Sequence, residues 1–139
     1  VKITKAKPLD PQGDGTENNA AAKNVLKKKG EWTSDRYNTP EFGGLKDGLG
    51  LELTLEGEQK LTKVVLDSKA KGGSYEIRVG DDPEDAKTIG TGEFGKKTEV
   101  EFDKPVEADS FYVWITELPT YEGNSRAAFS RITAYAEEN

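Results

Sequence analysis

Leu49, Leu51, Leu53 and Leu55 alternate with Gly50, Glu52 and Thr54. A period of two gives a strand one buried face and one wet face. The alternation returns in Leu61 to Asp67, where Val64 and Leu66 point inward, and at Tyr75, Ile77 and Val79 between Glu76 and Arg78. It appears again in Thr98 to Asp103, through Val100 and Phe102, and in a last strand from Phe129 to Ala136. Val1 to Thr4 predicts a first strand and Lys87 to Ile89 a short one. The run Ser110-Phe-Tyr-Val-Trp-Ile-Thr116 is apolar on both faces, which predicts a central strand with Trp114 in the core.

The breakers between these runs read as turns. They are Gly72-Gly73, Gly80 to Pro83, and Gly90, Gly92 and Gly95, while Pro105 closes the strand before it. Gly48 and Gly50 read as turn and bulge glycines. A polar loop runs from Pro8 to Asn19. Asn18 or Asn19 can then cap a short helix over Ala20 to Lys27, which Gly30 stops. The segment from Glu31 to Gly50 is a long loop with aromatic anchors at Trp32, Tyr37 and Phe42. Seven or eight strands with regular turns predict an all-β antiparallel sandwich with one short helix near the N-terminus.

Composition narrows the chemistry. The 139 residues include no Cys and no His. Thiolate nucleophiles, Ser-His-Asp triads and zinc sites built on Cys or His are therefore impossible. The net charge of -6 repels phosphate backbones, so nucleic acid is not an expected partner. Lys27, Lys28 and Lys29 read as a solvated face. The chain contains no apolar run near the ~20 residues that span a bilayer. It opens at Val1 in mid-pattern, so we read residues 1–139 as one domain excised from a longer protein, any membrane segment of which would lie outside it.

Several runs resemble the galactose-binding-like domains, which include discoidin-like and carbohydrate-binding modules. These are Asp10-Pro-Gln-Gly-Asp-Gly-Thr-Glu-Asn18, Trp32-Thr-Ser-Asp-Arg-Tyr37, Phe42-Gly-Gly-Leu-Lys-Asp-Gly-Leu-Gly-Leu51 and Ser125-Arg-Ala-Ala-Phe-Ser-Arg-Ile-Thr133. More narrowly, they resemble the extracellular C-terminal domain of the MviN-type lipid II flippases of high-GC Gram-positive bacteria. Similar modules follow the membrane segment of some bacterial serine/threonine kinases. The resemblance implies an eight-stranded jelly roll on the extracellular face of a bacterial membrane, in a peptidoglycan-synthesis protein. It also implies that Trp32 packs inward.

The candidate site residues lie in loops. Asp10, Asp14, Glu17 and Asn18 offer oxygen ligands within nine residues, as a structural calcium would need. The competing reading is a loop held by Asx-turns, and the spacing is not that of an EF-hand. Tyr37 and Tyr121 can stack on a sugar ring, and Glu122 and Asn124 can read hydroxyls beside Tyr121. Arg126 can pair with Asp35 or Glu17, or grip a carboxylate or phosphate of a cell-wall precursor. Lys46 precedes glycines, but no strand comes before it and no helix after, so it does not form a phosphate loop.

The sequence thus favours a non-catalytic interaction module that docks on an envelope protein or on its own parent. Weak binding of a peptidoglycan-related glycan by the loops at one end of the sandwich is the alternative. A glycan hydrolase comes last, because no two acids stand out as a catalytic pair.

Overall fold

The computed structural model describes residues 3–9, 32–33, 49–80, 86–121, 124–125 and 127–137. The predicted helix over residues 20–27 lies outside them. Their strands are β1 (Ile3–Leu9), β2 (Trp32–Thr33), β3 (Leu49–Asp67), β4 (Gly72–Val79), β5 (Lys87–Phe94), β6 (Thr98–Glu117), β7 (Thr120–Tyr121), β8 (Asn124–Ser125), β9 (Ala128–Phe129) and β10 (Arg131–Ala136). The described part is all-β, and every strand pairing in it is antiparallel.

β3 and β6 organise the molecule. β3 has 19 residues and β6 has 20. A straight strand of that length would run about 60 Å, far beyond a domain whose radius of gyration is about 14 Å. Each must bend, and the breaks in their mutual register show where. Pairing lapses between Thr54 and Gln59, around Gly57 at φ 75°. It lapses again between Leu61 and Lys63, where Phe102 to Pro105 stand against Thr62. The four strands predicted over these two segments are therefore the halves of two bent ones. Pro105 does not end its strand. It sits in the bulge, where no ladder N–H is required of it.

The first half of β3 and the second half of β6 join β1, β4 and β5 in the order β1-β3-β6-β4-β5. Residues 110–116 are thus central, as their double-sided apolar pattern predicts. The second half of β3 pairs with β10 and with the first half of β6. Between these two layers lies one cluster. Leu51, Leu53, Tyr75, Ile77, Phe111, Val113 and Ile115 face Val64, Leu66, Val100, Ile132 and Ala134, and all are buried.

Several predicted turns are strand residues instead. Gly90 and Gly92 lie inside β5. A Cβ on Gly90 would come 2.5 Å from Val100 Cγ1, and one on Gly92 would come 2.9 Å from the Tyr75 ring. These glycines allow close packing rather than reversal of the chain. Gly50 is likewise no bulge, because it pairs in regular register with Trp114. A Cβ there would run into the Val113 carbonyl. β1 extends through Pro8 and Leu9, which the sequence reading placed in a loop. β1 ends the strand order, and an edge strand tolerates proline.

Candidate functional site

The register gathers the connecting segments at one end of the sandwich. Leu9 pairs with Gly50, Leu49 with Ile115, Gly72 with Phe94 and Ser74 with Glu117. The described residues 68–71, 95–97, 118–121, 124–125 and 127–130 therefore lie at this loop end. The first and last described strands meet the opposite, corner end. There Ile3 pairs with Leu55 and Ala136 with Leu61.

The loop end has a rigid floor. Trp32 pairs with Phe129, and their rings stack with centroids 6.3 Å apart. Phe129 stacks on Phe94 at 4.9 Å, and Tyr75 meets both edge-on. Offset and edge-to-face contacts of this kind add to simple burial. Trp32 is fully buried, as the resemblance implies. The Tyr75 hydroxyl is buried and makes no hydrogen bond among the described residues. Burial pushes its pKa up to about 12, with the nearby Thr98 hydroxyl drawing weakly the other way.

Polar bonds tie the loops to this floor. Ser68 Oγ donates to the Ala128 carbonyl at 2.5 Å and accepts from the Ala70 amide at 3.0 Å. Lys71 and Thr120 exchange backbone hydrogen bonds of 3.1 and 2.9 Å. Leu118, Pro119, Ala127 and Ala128 are buried. Gly73, at φ 64°, lets the chain at Pro119 lie against it, since a Cβ would come 2.6 Å from the Pro119 nitrogen. On this base stands a short hairpin in which β7 pairs with β8. Its register sets Tyr121 directly opposite Asn124.

Two of the predicted site residues are thus brought together, on one hairpin. Tyr37, Glu122 and Arg126 lie outside the described residues, as do Asp10, Asp14, Glu17 and Asn18 of the candidate calcium loop. Among the described residues no group of three or more acids is placed to hold a metal ion.

Sequence reasoning missed a polar network on the outer face of the central sheet. Arg78 Nη2 and Nε lie 2.6 and 2.8 Å from Glu76 Oε1, and the Thr88 hydroxyl donates to the same oxygen at 2.8 Å. Burial pushes the Glu76 carboxyl upward. The hydrogen bonds from Arg78 and Thr88 and the Arg78 charge outweigh it and hold the carboxyl below its ordinary range. The Arg78 guanidinium also lies 5.5 Å from the centre of the Trp114 ring. Trp114 is buried, as predicted, but on this outer face rather than in the main cluster. Period-two spacing puts Glu76 and Arg78 on one face, but only the register supplies Thr88 and Trp114. At the corner end, Glu107 pushes the exposed Glu58 carboxyl up, by a side-chain hydrogen bond and then by charge, with smaller contributions from burial and Asp109.

No family model matches the sequence. Solved structures do match the fold. A family 32 carbohydrate-binding module of Clostridium perfringens, solved with GalNAc-β-1,3-galactose, is 19% identical with a TM-score of 0.63. That match covers 95% of this chain and 94% of the module. The family 32 module of AlyQ, solved with 4,5-unsaturated mannuronic acid, has a TM-score of 0.68 at 11% identity, covering 96% and 95%. The fold is a galactose-binding-like jelly roll. A chitosan-binding module from a chitosanase/glucanase of Paenibacillus sp. IK-5 matches at 18% identity with a TM-score of 0.68, covering 98% of this chain and 96% of the module. The domain also matches parts of larger proteins. It spans 27% of the SpGH29 chain and 14% of a family 89 glycoside hydrolase from Clostridium perfringens.

Proposed function

We propose that this domain is a non-catalytic carbohydrate-binding module that engages glycans with the hairpin and loops of the loop end. One observation carries the proposal. Modules solved with galactosides, a uronic acid derivative or named for chitosan binding superpose on this chain over nearly its whole length and theirs. The geometry adds to it, because the β7–β8 hairpin that carries Tyr121 and Asn124 is tied at its base to Lys71 by two backbone hydrogen bonds. A sugar site needs a few polar groups and an aromatic face held in fixed positions.

This reverses the order favoured by the sequence. The docking role, and the origin in a flippase or a receptor kinase of the cell envelope, stand on the sequence resemblance alone. None of the solved structures named above is a flippase domain. Display outside the cell is part of the proposal, since a module of this kind meets polysaccharide there. No helix among the described residues is long and apolar enough to cross a membrane.

The test is a titration of the ¹⁵N-labelled domain with galactose, a muropeptide and a chitosan oligosaccharide, each to about 10 mM, which detects millimolar affinity. At least one sugar is expected to shift the backbone amides of residues 120–125. Absence of shifts with all three sinks the proposal. Turnover of labelled peptidoglycan would overturn its non-catalytic part.

A further inference from the structure

A second surface, at the corner end, has the form of a binding groove. It arises from the bulge in β6, where Phe102 to Pro105 oppose Thr62. Bulges re-aim side chains and cluster beside functional sites. Between this bulge and the start of β5 is a groove of about 310 Å³. Its floor is Ile89, Phe102 and Val106, each half-buried. Its rim is Lys87 and Thr88 on one wall and Asp103 and Lys104 on the other, all exposed. Phe102 is held in place from behind. A Cβ on Gly90 would come within 3.2 Å of its ring, so the ring lies against the bare β5 backbone and is pre-set for a ligand.

We propose that this groove binds a uronic acid residue of an acidic polysaccharide, at a site separate from the loop end. The half-exposed Phe102 ring, flanked by two aliphatic side chains, offers a platform for the C–H face of a pyranose. The Lys87 and Lys104 ammonium groups stand on opposite walls and form no ion pair among the described residues. They supply charge-assisted hydrogen bonds to one carboxylate. Asp103 accepts from ring hydroxyls. A neutral sugar leaves both ammonium groups unused.

The experiment titrates the ¹⁵N-labelled domain with trigalacturonate and, separately, with neutral galactotriose. Trigalacturonate is expected to shift the amides of residues 87–89 and 102–104, with a Kd of about 1–10 mM. The effect should weaken when NaCl rises from about 0.05 to about 0.5 M, because exposed charges are screened over that range. The double variant Lys87→Glu and Lys104→Glu changes only exposed rim residues, and an unchanged Tm would confirm its fold. It should lose affinity about tenfold or more. Equal shifts with galactotriose, no shifts at these amides, or an unaltered affinity in the double variant would each overturn the proposal. Amides 120–125 report the loop end in the same spectra, so failure at one end is distinguishable from failure at the other.

Discussion

Among the described residues, the Tyr75 hydroxyl makes no hydrogen bond, although the Thr98 hydroxyl is nearby. The ring is an anchor of the aromatic floor, touching Phe94 and Phe129, yet its oxygen is buried without a hydrogen bond among the described residues. Leaving a buried polar group unsatisfied costs about 1–3 kcal/mol. Tyr75→Phe keeps the ring contacts and removes that cost, so the variant is expected to unfold about 3 °C or more above the wild type. A lower Tm would show that the hydroxyl has a partner that matters. The same residue shapes alkaline stability. The unfolded chain releases the tyrosine proton near pH 10.0, whereas the folded chain holds it to about 12. Stability from this group is complete below the unfolded value and is lost as pH rises through the folded one. In denaturant titrations between those values, the variant should lose stability less steeply than the wild type.

β5 and β6 show how an element can depend on what it lacks. Gly92 lies in β5 opposite Tyr75 in register, and a Cβ there would meet both the ring and its hydroxyl at 2.9 Å. Gly92→Ala is therefore expected to destabilise by about 1–3 kcal/mol through overpacking. Because one of the clashing atoms is the Tyr75 oxygen, adding Tyr75→Phe should recover part of the loss. A double-mutant cycle by urea unfolding measures that coupling, and strict additivity would show that the two positions do not press on each other. In β6 the bulge works the opposite way. The strand gives up pairing over Phe102 to Pro105 and gains a corner, which also opens the groove beside β5.

Across the molecule, acids of opposite behaviour set the response to low pH. Glu76 is held below its ordinary range by Arg78 and Thr88 against the opposing effect of burial. Its contribution is present above the unfolded value of 4.5 and is lost as pH falls through the folded one. Glu58 is raised by Glu107, so protonation relieves repulsion and acts in the other direction. Glu76→Gln is expected to lower stability at pH 7 by about 1 kcal/mol, because the partly buried pair loses its charge while the amide oxygen still accepts hydrogen bonds. The difference from wild type should close as the pH drops towards 3. A gap that persists at low pH in thermal melts would mean that Glu76 acts by packing rather than by charge.

The alternation at Leu49 to Leu55, Tyr75 to Val79 and Val100 to Phe102 by itself determined an all-β sandwich and most of its core, because a strand reports its buried face every second residue. It also marked residues 110–116 as central, since a strand covered on both faces cannot alternate. The sequence also set Tyr121 and Asn124 at a turn, and the β7–β8 register then paired their backbones. Three things were not legible. A bend within one strand looks in sequence like two strands, because the apolar alternation of Leu51 to Leu55 lapses over the polar residues Glu56 to Lys60 and resumes on the other parity at Val64 and Leu66. A glycine that admits a neighbour's ring, as Gly92 does for Tyr75, reads like one that turns the chain. The groove beside Phe102 joins residues from two strands that meet only across the folded core, so only the tertiary structure could assemble it.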